Sequence, residues 1–374
     1  RVATMVWSAV WAIALCLPAL LLLTADLVPF LRGVGPFAAR LGGGRRFAAA
    51  MIPESTRGRV VVVTGANTGL GFSSAKLLAL AGAHVVMGCR SASKCAAAAA
   101  KIREAKIREA KIRGSGGASV AVDTLVALDL ASLASVKAFA AAFLAQYSKL
   151  DALLLNAGIM SPPFGLSEDA IEMQFAVNHL GHFYLTQLLL PRALETAKAG
   201  VPVHIASVSS MMSFVAAVRP TRFLSGDMSL SALNDPKDYG GIKHYAQSKL
   251  ANVLFAKELH RRVQYQGNVI VTAINPGFVA TELTTANFAT NLFTRGLRAI
   301  IFFFAWSVEE AALTQVYAVS SPELTVSEHG GSFIFPIARH GTSLPHIAQN
   351  MTLAKSLWEF SEELIRSKTK TNHQ

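Results

Sequence analysis

Cysteine is nearly absent: the 374 residues contain three, Cys16, Cys89 and Cys95. They have no metal-ligand spacing and make no disulfide framework, which excludes a structural zinc module and a cystine-stapled secreted scaffold. Unpaired thiols fit a reduced compartment. The histidines add nothing to a metal reading, because His179, His182 and His204 lack ligand spacing; no metal is expected. Acidic residues are scarce as well, 23 against 35 lysines and arginines, giving a formal net charge of +12. Such an excess invites a nucleic-acid partner. The basic residues are dispersed, however, or lie beside the apolar N-terminal segment and in one short repeat, without a nucleic-acid fold signature. No nucleic acid is expected, and a surface facing anionic lipid headgroups is the simpler account.

Apolar residues make up 52% of the chain, and much of the excess sits at its start. From Met5 to Thr24 there is no charged residue. A helix of about 20 residues spans about 30 Å, the hydrocarbon thickness of a bilayer. The run continues through Leu27, Val28 and Phe30, longer than the apolar core of a cleavable signal peptide. Pro18 would kink such a helix without preventing it. Arg32, Arg40, Arg45 and Arg46 follow the segment, against Arg1 before it, which predicts a cytosolic domain. Residues 1–54 therefore read as a single-pass membrane anchor with a basic linker, and 55–374, in which no linker-like stretch appears, as one catalytic domain. Asn350-Met351-Thr352 is a glycosylation sequon that this orientation leaves unused.

After residue 55, short apolar runs rich in branched residues alternate with helical stretches, the signature of βαβ units. Strands are predicted at 59–64, 84–88, 120–128, 151–155, 203–208, 269–274 and 331–335, with helices at 71–80, about 172–194 and around 245–263. About seven parallel strands with helices on both faces make an α/β, doubly wound Rossmann-type sheet. Lys101-Ile102-Arg103-Glu104-Ala105 recurs as 106–110 and, truncated, as 111–113. A five-residue step advances about 500° around a helix, so Ile102, Ile107 and Ile112 cannot share one buried stripe. The repeat reads as a solvated extension. A second apolar run, 299–306, is too short to span a membrane and could line a pocket, dip into a bilayer interface or fill core. Ser307 and Glu310 form a capping-box pattern after it.

Two elements carry chemistry. Thr64-Gly65-Ala66-Asn67-Thr68-Gly69-Leu70-Gly71 lies between a strand and a helix. Such a turn lets backbone approach a pyrophosphate at a helix N-terminus, with Gly65 for the turn, Gly69 for the approach and Gly71 for close packing. Downstream, Tyr245 and Lys249 stand at i and i+4 and so share a helix face, which places a phenol acid beside an ammonium. Tyr239 and Lys243 have the same spacing, but only the second pair continues into the apolar face of Leu250, Val253, Leu254 and Leu259. Strand two ends at Gly88-Cys89-Arg90 without the acid that would accept a ribose 2'-hydroxyl. Arg90, with Lys94 nearby, suits the 2'-phosphate of NADP, which makes NADP(H) the expected cofactor and leaves NAD open.

Taken in order, that glycine turn, Leu155-Asn156-Ala157-Gly158, Asn178, Ser209-Ser210, Tyr245-x-x-x-Lys249 and Pro276-Gly277 resemble the short-chain dehydrogenase/reductase family, from about residue 58 to the C-terminus. The Tyr245-Ala-Gln-Ser-Lys-Leu-Ala-Asn252 helix and the 34 residues between Ser210 and Tyr245 are most similar to the retinol dehydrogenase-like and plant membrane-associated reductase branch. The resemblance implies that Tyr245 donates the proton in carbonyl reduction. Lys249 would lower the phenol's pKa and bind the nicotinamide ribose, Ser210 orient the carbonyl and Asn178 hold a relay water. It further implies that the cofactor is bound by Gly65, Asn67, Thr68, Gly69, Leu70 and Gly71, and by Arg90, Asp129 and Leu130. Asn156, Ala157, Gly158, Tyr245, Lys249, Pro276, Gly277, Val279 and Thr281 complete that set. Asp129 can equally be a helix N-terminal acid, and Leu155 stands where the family usually has a second asparagine.

The reading is a membrane-anchored NADP(H)-dependent alcohol dehydrogenase or carbonyl reductase acting on a lipophilic retinoid, sterol or fatty aldehyde. The endoplasmic reticulum is the expected membrane, the plastid envelope stays open, and a homodimer is compatible. A catalytically silent nucleotide-binding scaffold is the alternative, because fold and function separate easily.

Overall fold

Val60–Thr64 reads Val-Val-Val-Val-Thr and is buried at every position, which only a strand covered on both faces allows. It is β1 of a computed structural model that describes residues 47–112, 120–218, 220–279, 306–340 and 344–371. The other strands are β2 (His84–Gly88), β3 (Val122–Thr124), β4 (Ala152–Leu155), β5 (Val203–Val208), β6 (Val269–Ile274) and β7 (Ser332–Ile334). All pair in parallel in the order β3-β2-β1-β4-β5-β6-β7. The order reverses between β1 and β4, and the crevice beyond their carboxyl ends is where such sheets bind ligands.

The main helices are α1 (Gly69–Leu80), α2 (Ala92–Ile112), α3 (Leu133–Gln146), α4 (Gly181–Lys198), α5 (Gly241–Val263), α6 (Val308–Ser320) and α7 (Met351–Thr371). Strand side chains alternate between two cores, as the two-residue period requires. Val60, Val62, Leu153, Leu155, Ile205 and Val271 face α3, α4, α5 and α7. Val61, Val63, Leu154, Ala206 and Ile270 face α1, α2 and α6. Each fully buried aliphatic side chain contributes about 1.5–3 kcal/mol, so the sheet is a stiff platform for the loops at its ends.

Several expectations change in detail. β3 is three residues long and ends before Leu128, because it is an edge strand paired only with β2; Asp129 therefore stands in the turn before α3. The helix predicted over 172–194 is divided into Met173–Phe175, a π-helical turn Ala176–Leu180, and α4. The wide turn carries Asn178, and π-bulges recur at functional positions. Along the repeat, Ile102 is buried and Ile107 exposed, so α2 leaves the core as it extends into solvent. Ser307 and Glu310 form the reciprocal capping box of α6.

The spanning helix expected over Met5–Thr24 and the basic residues after it lie outside the described residues, as do Thr281, Cys16 and residues 299–305 of the second apolar run. Among the described residues no helix is long and apolar enough to cross a membrane.

Candidate active site

The carboxyl ends of β1 and β4 hold the glycine turn. Gly71 has no room for a side chain: a Cβ there would come within 2.3 Å of the Gly65 carbonyl oxygen and 2.4 Å of the Asn156 amide nitrogen. This close approach seats the first turn of α1 against the strand ends. Gly69 takes φ +55° and faces open space. Thr68 precedes α1 in extended conformation without capping it through its side chain. The first N–H groups of α1 thus have no side-chain cap, and a helix N-terminus left in this way suits phosphate oxygens.

Around this turn runs a chain of buried and part-buried hydrogen bonds. Thr64 Oγ1 accepts from the backbone N–H groups of Asn156 (2.9 Å) and Ala157 (3.0 Å). Asn156 Nδ2 donates to Thr64 O at 2.8 Å, and Gln315 Nε2 on α6 donates to Asn156 Oδ1 at 2.9 Å. Gln315 Oε1 in turn accepts from Ser74 Oγ of α1 at 2.7 Å. His182 is buried, which pushes its pKa down to about 4 and keeps it neutral. Its Nδ1 faces the Asn178 carbonyl (3.1 Å) and must donate there, leaving Nε2 to accept from Thr64 Oγ1 (2.8 Å). Gln315 and His182 thus brace the loop after β4. Neither brace is legible in the sequence, where His182 shows only a lack of metal-ligand spacing and Gln315, a single residue on a distant helix, carries no local pattern.

Tyr245 and Lys249, on consecutive turns of α5, are both buried. Lys249 Nζ stands 5.7 Å from the Tyr245 ring centre and donates to the Val208 carbonyl at 2.9 Å, at the end of β5. Ser210 lies within hydrogen-bond reach of the Tyr245 phenol. A Cβ on Gly158 would stand 3.4 Å from Lys249 Nζ and 3.2 Å from Asn178 Oδ1, so three expected residues converge on one small volume. Asn178 is largely committed: Oδ1 accepts from Ile159 N (2.8 Å), and Nδ2 donates to Ile159 O (3.0 Å) and Ser248 Oγ (2.8 Å).

Burial dominates the electrostatics of both groups. Burial pushes the Tyr245 phenol up to about 12, with Ser210 only partly opposing it, and pushes the Lys249 ammonium down to about 8. Desolvation is the largest cause in each case, disfavouring the phenolate and the ammonium alike. Without cofactor, Tyr245 is therefore protonated at neutral pH.

The competing pair has a different employment. Tyr239 OH donates to the Pro162 carbonyl (2.5 Å), and Lys243 pairs with Asp238 (2.6 Å).

At the carboxyl end of β2, Arg90 is exposed, with Lys94 on the first turn of α2. Asp129 Oδ1 accepts from Ala131 N at 2.9 Å ahead of α3, which is the loop-capping use of an acid, and the neighbouring Leu130 is buried. Cys89 and Cys95 form a disulfide with Cα atoms 5.8 Å apart. This overturns the expectation of unpaired thiols, and with it the argument for a reduced compartment. The turn from β2 into α2 folds back within six residues and brings the two side chains together, a proximity the spacing alone did not reveal. Beyond β6, Pro276 and Gly277 lead into Val279, which bridges to Trp306; the Trp306 indole lies against Gly277. His179 and His204 are buried and neutral, and no cluster among the described residues could hold a metal.

Comparison with known proteins agrees with this arrangement. Residues 59–219 match the family model described as short chain dehydrogenase. Human retinol dehydrogenase 14 is 36% identical over 335 residues, covering 89% of this chain and 92% of that protein. The chloroplastic short-chain dehydrogenase TIC 32 A of Brassica napus is 33% identical, covering 88% and 96%. Among solved structures, 3-ketoacyl-(acyl-carrier-protein) reductase from Brucella melitensis complexed with NADH superposes with a TM-score of 0.52 at 25% identity, over 74% of this chain and 96% of that one. With relatives this similar over nearly its whole length and a nicotinamide-type crevice at the sheet's switch point, the chain belongs to the short-chain dehydrogenase family of oxidoreductases.

Proposed function

We propose that this oxidoreductase is membrane-anchored, prefers NADP(H), and interconverts a carbonyl and an alcohol on a lipophilic substrate, with Tyr245 as the proton donor. The observation that carries the reading is the convergence of Tyr245, Ser210, Lys249, Asn178 and Gly158 in a fold whose glycine turn leaves the N-terminus of α1 uncapped by a side chain. The residues fit a dinucleotide: Gly65, Asn67, Thr68, Gly69, Leu70 and Gly71 would hold its pyrophosphate. Arg90, aided by Lys94, would hold a 2'-phosphate. Asp129 and Leu130 would flank the adenine side, Asn156, Ala157 and Gly158 the middle, and Pro276, Gly277, Val279 and Thr281 the carboxamide. When bound, the reduced nicotinamide supplies the hydride.

The remaining steps belong to this chain's side chains. Ser210 hydrogen-bonds the substrate oxygen and orients it toward Tyr245. The phenol, kept protonated by burial, gives its proton to that oxygen as negative charge develops. Lys249, beside it on α5, stabilises the phenolate left behind, an interaction strengthened by the dry surroundings. Asn178 Oδ1 accepts one described hydrogen bond and would use its second lone pair for a water that returns a proton toward Lys249.

Large apolar side chains remain exposed beside the start of α5, namely Ile242 and Phe164, the latter packed on Tyr239, which supports a lipophilic substrate. Purified protein with NADPH and retinaldehyde, a sterol ketone or a long-chain aldehyde should show carbonyl-dependent NADPH oxidation. No oxidation with any of the three would favour a noncatalytic scaffold.

For the membrane reading, protein beginning at residue 47 is expected to leave the membrane fraction yet stay folded. In intact microsomes, added protease should digest the domain of the full chain, and Asn350 should carry no glycan. A protease-protected, glycosidase-sensitive protein would place the domain in the lumen instead.

A further inference from the structure

The loop that leaves β4 passes Gly158 and Ile159 beside Lys249 and then reaches Ser161, which meets α5 at its first residue. A Cβ on Gly241 would come within 2.1 Å of Ser161 Oγ, so the loop presses on the helix one turn before Tyr245. Ser161 holds φ 54°, an unusual conformation for a residue with a side chain, and needs outside support. That support is Gln174, fully buried on the short helix after the loop. Its Oε1 accepts from Ser161 N at 2.8 Å, while Nε2 donates to the Gly241 carbonyl (2.9 Å) and to Tyr239 Oη (3.2 Å). Tyr239 Oη passes its own proton on to Pro162 O, and the Tyr239 ring meets Phe164 edge-on with centres 5.3 Å apart.

The anchorage extends further. Buried Glu172 caps Gln174 and Phe175 through both carboxylate oxygens, and its own N–H donates to Asn234 Oδ1 at 2.8 Å. Asn234 Nδ2 returns to the Ala170 carbonyl at 2.9 Å. The loop after β4 is thereby tied to the insertion between β5 and α5 by a continuous set of hydrogen bonds. None of these hydrogen bonds involves the glycine turn, and they end on Gly241, one turn before Tyr245 on α5.

We propose that Gln174 and Tyr239 are positioning residues that clamp residues 159–164 into one wall of the substrate site and so determine which carbonyl compounds fit. The proposal rests on the reading that the reaction takes place at Tyr245. Tyr239→Phe keeps the ring against Phe164 and removes the hydroxyl bridge; Gln174→Leu also removes the support of Ser161. In the full-length protein, Tyr239→Phe should raise KM for decanal and retinaldehyde about 3- to 10-fold, the worth of one or two hydrogen bonds. The ratio of kcat/KM between the straight-chain and the ring-bearing aldehyde should shift at least about threefold. The kcat and the KM for NADPH should stay within about twofold.

Amide hydrogen exchange over 159–164 should speed up in both variants. A merely structural role would instead lower thermal stability and disturb NADPH and aldehyde kinetics together. Unchanged aldehyde preference and unchanged exchange in Tyr239→Phe would overturn the clamp while leaving the reaction at Tyr245 intact. If the unaltered protein reduces neither aldehyde nor a sterol ketone, the reading beneath the clamp falls with it.

Discussion

Tyr245→Phe should lose carbonyl reduction by roughly 10²- to 10⁴-fold, the usual contribution of a positioned general acid, while NADPH binds within about twofold. The phenol is buried, so removing its oxygen leaves the ring packed and the helix undisturbed. Tyr239→Phe serves as the matched control: it carries the same chemical change six residues earlier, just ahead of α5, and should preserve kcat. Cofactor binding is read by titration of NADPH fluorescence, and turnover by single-turnover oxidation, which separates chemistry from product release. If Tyr245→Phe kept its activity and Tyr239→Phe lost it, the assignment of the two tyrosines would be inverted.

The difference between these tyrosines was legible in the sequence because it is periodic. Leu250, Val253, Leu254 and Leu259 continue the apolar face that buries Lys249, and α5 packs that face on the sheet. The strands were legible for the same reason: runs such as Val60–Thr64 and Val203–Val208 are apolar throughout, as parallel strands covered on both faces must be. The edge strand β3 was less so. With a neighbour on one side only, Asp123 and Thr124 are half-exposed, and the apolar residues 125–128 form a loop that resembles strand in composition alone.

The site was legible where one backbone segment makes it and illegible where distant segments meet. Gly65, Gly69 and Gly71 form a single turn, and their spacing states their use. Gln315 reaches Asn156 from 159 residues away, and Gln174 reaches Gly241 from 67, so neither has a local signature. The π-turn around Asn178 was read as plain helix because its residues are ordinary helix formers; the extra residue shows only in the hydrogen-bond pattern. The Cys89–Cys95 link was missed because six residues of separation say nothing until the chain reverses. That reversal has a consequence at the cofactor end. The disulfide closes around Arg90, Ser91, Ala92, Ser93 and Lys94, and the Cys89 carbonyl accepts from Leu128 N at 2.9 Å, next to Asp129. The residues expected to distinguish NADP from NAD therefore stand on a turn fixed covalently at both ends.

Arg90→Asp is accordingly expected to change cofactor choice rather than abolish dinucleotide binding. An arginine–phosphate contact is charge-assisted and is worth about 1.5–3 kcal/mol, or roughly 10- to 100-fold in affinity. The new carboxylate would add repulsion against a 2'-phosphate. With NADH the same carboxylate faces ribose hydroxyls, which it can accept as hydrogen bonds, the arrangement NAD sites use. The strand end Gly88-Cys89-Arg90 presents no other acid for that purpose, and the disulfide keeps the turn from relaxing away from the substitution. NADPH affinity should therefore fall at least about 30-fold while NADH affinity holds or improves, so the preference ratio moves by about two orders of magnitude. Titrations of both cofactors at one ionic strength decide it, because an exposed charge is screened by salt. A similar loss for NADPH and NADH would mean that Arg90 supports the turn without touching the phosphate, and would remove the basis for the NADP preference.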